Sequence, residues 1–285
     1  MKKIIALALT LVMALGTLTA CGGGNDESKA AVKVINIELT EELYAFGVDK
    51  TQPELLEDVN KFIKKIKEDG TFDEICDRYF GDGTPVAVKS AALDPSKNQL
   101  VVATNAAFEP FEYTEGGDTY YGIDMEIAAL LAKELGKELV IQHMDFDAVC
   151  LAVGQQKCDI AMAGLTIAED RKEHVNFSDS YYNASQKLIV PADCTEFDNC
   201  KTVADIEAIL NAKDASVKVG VQTGTTGQFY CEGDEELGFT GFKFTTVGYT
   251  NGALAVQDLL NGGLDYVIID SAPAACIVEA INAVQ

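Results

Sequence analysis

Two successive blocks of alternating strand and helix patterns constrain this chain most. Residues 100–104 form a short apolar run of buried-strand type. A helical stretch follows at 124–135, with Ile127, Leu130, Leu131 and Leu135 on one face. Strand patterns at 139–141, 159–163 and 185–190 enclose a helix over 147–156. The alternation then restarts. Helices are expected at 203–212, 226–231, 251–261 and 272–282, and strands at 217–221, 242–247 and 266–269. Such alternation predicts an α/β fold of two lobes with mostly parallel sheets. Ligands of such sheets sit beyond the carboxyl ends of the strands, and two lobes enclose a cleft between them.

The beginning of the chain reads differently. Lys2 and Lys3 precede an uncharged apolar run over residues 4–18, the layout of a secretory signal and short for a membrane span. The stretch Gly22-Gly23-Gly24-Asn25-Asp26-Glu27-Ser28 is a polar tether. Residues 32–39 and 44–48 read as extended. They lead into an amphipathic helix carrying Leu55, Leu56, Val59, Phe62, Ile63 and Ile66 on one stripe. Thr51-Gln52-Pro53-Glu54 has a capping-box pattern with Pro in the first turn, and Gly70 stops the helix. A second helix over 72–80 ends at Gly81, and residues 82–99 read as a linker.

Charge narrows the functions. The 285 residues hold 22 Lys+Arg against 45 Asp+Glu, a net charge of −23, which excludes nucleic acid as a partner because phosphate binding needs a basic patch. Only Arg78 and Arg171 are arginines. After Cys21 seven cysteines remain, an odd number, with no C-x-x-C pair and only His143 and His174 to join them, so no metal site is expected. Cys150 and Cys158 sit among apolar residues as core hydrophobes, and Cys194 and Cys200, flanking a short loop, are the pair best placed for a disulfide.

Several motifs carry a family resemblance. Leu18-Thr19-Ala20-Cys21 resembles the lipobox of bacterial lipoproteins, which implies cleavage before Cys21 and lipidation of its thiol. The run from Thr104-Asn105-Ala106-Ala107-Phe108 to Glu109-Pro110-Phe111-Glu112-Tyr113 resembles the opening of the polar amino-acid-binding proteins of ABC importers, solute-binding protein family 3. Gly122-Ile123-Asp124-Met125-Glu126, Asp145-Phe146-Asp147, Ala163-Gly164-Leu165-Thr166, Glu169-Asp170-Arg171, Gly224-Thr225-Thr226 and Asp270-Ser271-Ala272-Pro273 follow at the family's intervals. The resemblance implies a two-lobed, periplasmic-binding-protein-like (type II) fold with two hinge strands. It also implies an extracytoplasmic, lipid-anchored receptor, not an enzyme, without a cofactor, serving an ABC permease and ATPase.

One departure stands out. The family ends on a crossing strand and two closing helices, and the residues resembling that ending, 41–81, come first here. This order implies a circular permutation; exchange of the same segment between two chains, giving a swapped dimer in place of a monomer, is the rival. The expected map is a signal over 1–20, a tether over 21–31, lobe 1 over 44–192 with a permutation linker at 82–99, and lobe 2 over 32–43 plus 193–285. The hinge strands would then lie near 187–193 and 36–44.

By the same resemblance Arg171 would fork the ligand carboxylate, a geometry that guanidinium suits. Local charge alone would allow a surface arginine among Glu169, Asp170, Lys172 and Glu173. The backbone N–H groups of Thr166 and Thr226 would add donors, and Gly224-Thr225-Thr226 precedes a helix, whose N-terminus attracts an anion. Asp270 would pair the ligand ammonium, although its position also suits a helix N-cap. The Gly164 carbonyl and Thr166 hydroxyl, with Ala163 beside them, would complete the ammonium shell. Phe108 and Phe146 would sandwich the side chain, or else be ordinary core aromatics. Asn105 and Gln222, two neutral amides, favour a neutral polar ligand, since no fixed anion is evident to compensate a buried cation. His143 and His174 are surface or structural. An enzyme on this fold, drawing on Glu109 and Glu112, and a surface sensor or adhesin are the alternatives.

Overall fold

The structure is a computed structural model that describes residues 31–284. The expected signal, lipidation at Cys21 and most of the tether lie outside the described residues. Two five-stranded sheets carry the two lobes. The first runs Val175–Phe177, Gly47–Asp49, Ile160–Ala161, Gln99–Thr104, Glu138–His143. Its last three strands are parallel, and Gly47–Asp49 is antiparallel to both neighbours. The second runs Val32–Ile35, Gln186–Pro191, Tyr266–Asp270, Lys218–Gln222, Thr245–Tyr249, again with three parallel strands and an antiparallel pair at one edge. Helices cover both sheets, which is why Tyr266–Asp270 is buried at all five positions and reads as a continuous apolar run ending in an acid.

The lobes are joined by two crossing segments. Glu42–Tyr44 pairs antiparallel with Tyr182–Ala184, and each runs on into one of the main sheets. Gln186–Pro191 already belongs to the second sheet, so the crossing lies near residue 185, several residues before the expected boundary at 192. The hinge strand expected near 187–193 moves with it. The period-2 signal was ambiguous there, because apolar residues continue unbroken from Leu188 to Val190.

The early helices pack onto the first lobe of their own chain. Pro53–Glu68 buries Leu55, Val59, Phe62, Ile63 and Ile66, the expected stripe, with Leu56 at its margin. The capping box is not formed: Gln52 is the N-cap without a side-chain bond, and Thr51 turns back to Asp49, its N and Oγ1 lying 2.8 and 3.0 Å from Oδ1. Pro at the first turn, which needs no donor, starts the helix in its place. Thr71–Phe80 follows, and Arg78 fixes it: Nη2 and Nε donate to Glu126 Oε2 at 2.6 and 3.0 Å, and Tyr79 Oη donates to Oε1 at 2.7 Å. Glu126 is buried, on helix Ile123–Glu134.

Other expectations need correction. Residues 82–99, read as a linker, also carry a short strand, since Val88–Lys89 pairs beside Thr119–Tyr121, and Ala91 N donates to Leu139 O. Two residues are too few for a readable period. The strand expected at 242–247 is Thr245–Tyr249, because Phe242 and Phe244 fill the second lobe's core from the preceding loop. The Cys194–Cys200 disulfide is not formed: both are free thiols, partly buried against that core. Cys150 and Cys158 are buried as expected. No helix among the described residues is long and apolar enough to cross a membrane.

Removing Arg78 takes the counter-charge from the buried Glu126 carboxylate and leaves it Tyr79 Oη and Val86 N as donors. Arg78→Ala should lower unfolding free energy by about 3 kcal/mol, measured by urea titration. A loss below ~0.5 kcal/mol would place the pair with ordinary surface ion pairs.

Candidate functional site

The carboxyl ends of the parallel strands face one another across the junction of the lobes. From the first lobe, Asn105 follows Gln99–Thr104, Ala163, Gly164 and Thr166 follow Ile160–Ala161, and Arg171 lies on the short helix Glu169–Lys172. From the second, Gln222 ends Lys218–Gln222, Thr225 and Thr226 open Thr226–Glu232, and Asp270 ends Tyr266–Asp270. The lobes touch there. Gln222 Nε2 donates to Asn105 Oδ1 at 3.1 Å, and Arg171 Nη2 donates to Gly224 O at 2.9 Å. Gly224 has φ +76°, and a Cβ on it would come within 3.1 Å of Asp147 Cβ, so both backbone freedom and space call for glycine. Gly164, at φ +54°, would likewise bring a Cβ to 2.9 Å from the Phe108 ring.

Arg171 is not a solvated surface arginine. It is 6% exposed, its Nη1 donates to Thr166 O at 2.7 Å, and its guanidinium lies 5.2 Å from the Phe146 ring centroid. Neighbouring Glu169 pairs with Lys172 instead. A guanidinium has five N–H groups, and these bonds to main-chain carbonyls leave donors for an anion. A cavity of about 240 Å³ borders Phe146, Asp147, Arg171, Gly224 and Phe229. A larger groove of about 720 Å³, between residues 86–89 and helix Ile123–Glu134, brings none of the expected site residues together. Phe108 is buried with its ring 6.0 Å from Phe111.

Asp270 holds the N-cap position of Ser271–Asn282 but makes no cap hydrogen bond. Its carboxylate accepts from Tyr44 Oη instead. Beside it lies Glu42, a buried carboxylate that sequence reasoning did not include in the site. Glu42 accepts from Thr40 Oγ1 and Thr166 Oγ1, each at 2.6 Å, and from Gln186 Nε2 at 3.0 Å. The Thr166 hydroxyl gives its proton to Glu42 and keeps its oxygen lone pairs as acceptors, the role expected of it towards an ammonium. The sequence carried no signal for it: Glu42 and Tyr44 are buried with Leu43 exposed between them, the reverse of what hydrophobicity suggests for a strand.

Two more acids are fully buried nearby. Asp124 accepts from Gly164 N at 3.0 Å and from Tyr181 Oη at 2.6 Å. Glu112 is 0% exposed, and neither of its oxygens has a hydrogen-bond partner. Burial pushes the Asp124 carboxyl up to about 7. It raises Glu112 well above the ordinary range, with Asp124 and Asp270 adding to the effect. Asp270 is raised by burial and then by Glu42. Two acids that the reading of Asn105 and Gln222 left out, Glu42 and Glu112, are thus buried in the same region. The Asn105 amide is itself occupied, its Nδ2 donating to Met144 O at 2.8 Å. His143 is structural: its Nδ1 accepts from Ala106 N at 2.9 Å.

Residues 5–82 and 100–270 match the bacterial extracellular solute-binding proteins, family 3. The chain belongs to that family. The arginine-binding extracellular protein ArtP of Bacillus subtilis (strain 168) is 31% identical over 188 residues, 66% of this chain and 67% of the relative. A probable histidine-binding protein of Neisseria gonorrhoeae is 33% identical over 199 residues, 70% and 68% of the two chains. Among solved structures, an ancestral amino-acid-binding protein described as a precursor of cyclohexadienyl dehydratase superposes with a TM-score of 0.54 at 32% identity, covering 73% of this chain and 78% of its own. The fold is the two-lobed type II fold of periplasmic binding proteins.

Asp124, Glu112 and Asp270 hold protons more tightly folded than unfolded. The stability they contribute is complete below the ordinary carboxylate range and is lost as pH rises through their folded values. The melting temperature of protein freed of amino acids should therefore fall between pH 5 and pH 8. A midpoint that climbs over this interval would mean that the acids are ionised and paired.

Proposed function

We propose that this chain is a lipid-anchored extracytoplasmic receptor that captures a polar amino acid between its lobes and delivers it to the permease and ATPase of an ABC importer. The observation that carries the reading is the opposition of Arg171 and Asp270 across the junction, one buried donor fork and one buried acid. An α-amino acid presents the matching carboxylate and ammonium. The names of its relatives, binders of arginine and histidine, agree with that class. The ligand carboxylate takes the unspent N–H groups of Arg171, with Thr225 and Thr226 across the junction. Its ammonium takes Asp270 and the Gly164 carbonyl. Phe108 and Phe146 hold the side chain, and the Asn105–Gln222 bond latches the lobes. Hinge motion about the two crossing segments opens the site, and closure presents the loaded form to the permease. No bond is made or broken. Cys21 carries the acyl anchor.

In this reading the chain order is permuted, with lobe 2 formed by residues 32–43 and the C-terminal region. Two observations support this. Asn282, ending the last helix, clamps the first strand: its Oδ1 accepts from Ala31 N at 2.9 Å and its Nδ2 donates to Val32 O at 2.9 Å. The two ends that a parental order would join thus lie side by side. Residues 42–81 also pack on the first lobe of the same chain. Light scattering should give the mass of one chain at micromolar concentration. A stable dimer would favour exchange of this segment between chains.

Arg171→Ala should weaken amino-acid binding at least ~30-fold in calorimetric titration while unfolding stays cooperative. Affinity within threefold of the wild type would remove Arg171 from the site.

A further inference from the structure

The polar atoms left over inside the junction are all of one kind. Among the described residues, five buried side-chain atoms lack a hydrogen-bond partner: Thr104 Oγ1, both Glu112 oxygens, Gln186 Oε1 and Gln222 Oε1. All five are oxygens, and no buried side-chain nitrogen is stranded with them. Gln186 and Gln222 have committed their amide nitrogens to Glu42 and Asn105, which leaves their oxygens as acceptors. The two amide oxygens, and the Glu112 carboxylate once ionised, are pure acceptors and need donors, whereas the Thr104 hydroxyl can donate or accept.

Charge points the same way. Glu42, Glu112, Asp124 and Asp270 are all buried, and Arg171 is the one buried basic residue among those described. Once Arg171 pairs the ligand carboxylate, a single ammonium leaves the acids in excess. Three of the four acids have explicit donors: Glu42 has Thr40, Thr166 and Gln186, Asp124 has Gly164 and Tyr181, and Asp270 has Tyr44. Glu112 has none. It lies directly across the strand pair from Phe108, one of the residues assigned to the ligand side chain.

We propose that the site selects an amino acid whose side chain bears a second, multi-donor cation, guanidinium before all others, and that Glu112 is the residue that sets this preference. The inference rests on the amino-acid receptor reading and extends it to the side chain. Glu112 supplies the charge that compensates the side-chain cation. The Gln186 and Gln222 oxygens take N–H groups that a carboxylate or alkyl side chain lacks.

Arginine and citrulline separate the two claims, since citrulline keeps the shape and replaces the guanidinium with a neutral urea. Calorimetric titration of the full protein should show arginine bound at least ~30-fold more tightly than citrulline or glutamine. Glu112→Gln should lower arginine affinity at least ~10-fold and leave citrulline within threefold, whereas Glu112→Asp should keep the preference for arginine. Citrulline or glutamine bound as tightly as arginine by the wild type would overturn the proposal, and this comparison stands even where a variant does not fold. Equal losses for arginine and citrulline in Glu112→Gln would make Glu112 a packing residue and overturn its role. Failure of every amino acid to bind the wild type would instead bring down the receptor reading beneath it.

Discussion

Charge buried at the junction of the lobes organises this molecule. A charge removed from water must be paired or hydrogen-bonded, or it gives up its ionised form. Arg171 meets that demand with two main-chain carbonyls, one from each lobe. Glu42 meets it with three side-chain donors drawn from both crossing segments and from the Thr166 loop. Asp270 meets it with the Tyr44 hydroxyl. Each solution ties one lobe or the hinge to another part of the site, so the elements that neutralise charge are also those that hold the lobes together. A ligand carrying both charges can replace some of these contacts and strengthen others, which is the differential interaction that a closing motion requires.

The scaffold serves that arrangement from a distance. Parallel strands place Asn105, Gln222 and Asp270 at their carboxyl ends. Strands that complete each sheet come from the early part of the chain, Gly47–Asp49 inside one, between Val175–Phe177 and Ile160–Ala161, and Val32–Ile35 at the edge of the other. The same early stretch delivers Glu42 and Tyr44 to the junction. Its helices are fastened to the first lobe by an apolar stripe and by Arg78 on Glu126, far from the ligand chemistry. Both arginines of the chain therefore act on buried partners, one to hold a helix and one to hold the site.

Much of this could be read before any coordinates. Long periodic segments such as the helix bearing Leu55, Val59, Phe62, Ile63 and Ile66 announce their buried face, because burial of that face is what stabilises them. Arg171 and Asp270 stood out through the motifs around them. Glu42 did not, because a carboxylate acquires its role from donors supplied by Thr40, Thr166 and Gln186, which only the fold assembles. Glu112 was visible as an acid near the cleft, but its lack of any partner is a property of packing. The lean towards a neutral ligand weighed Asn105 and Gln222 without the acids that tertiary structure brings beside them. The strand near residue 245 was misplaced by apolar residues that pack from a loop, where period and burial part company.

The most direct test of the account is a thermal-shift panel of the twenty amino acids on the purified protein freed of bound ligand. A ligand held at about a hundred times its dissociation constant adds ~2.7 kcal/mol to the stability of the folded state. The account predicts a clear rise in melting temperature confined to a few polar amino acids. A cooperative melt that no amino acid moves would contradict it.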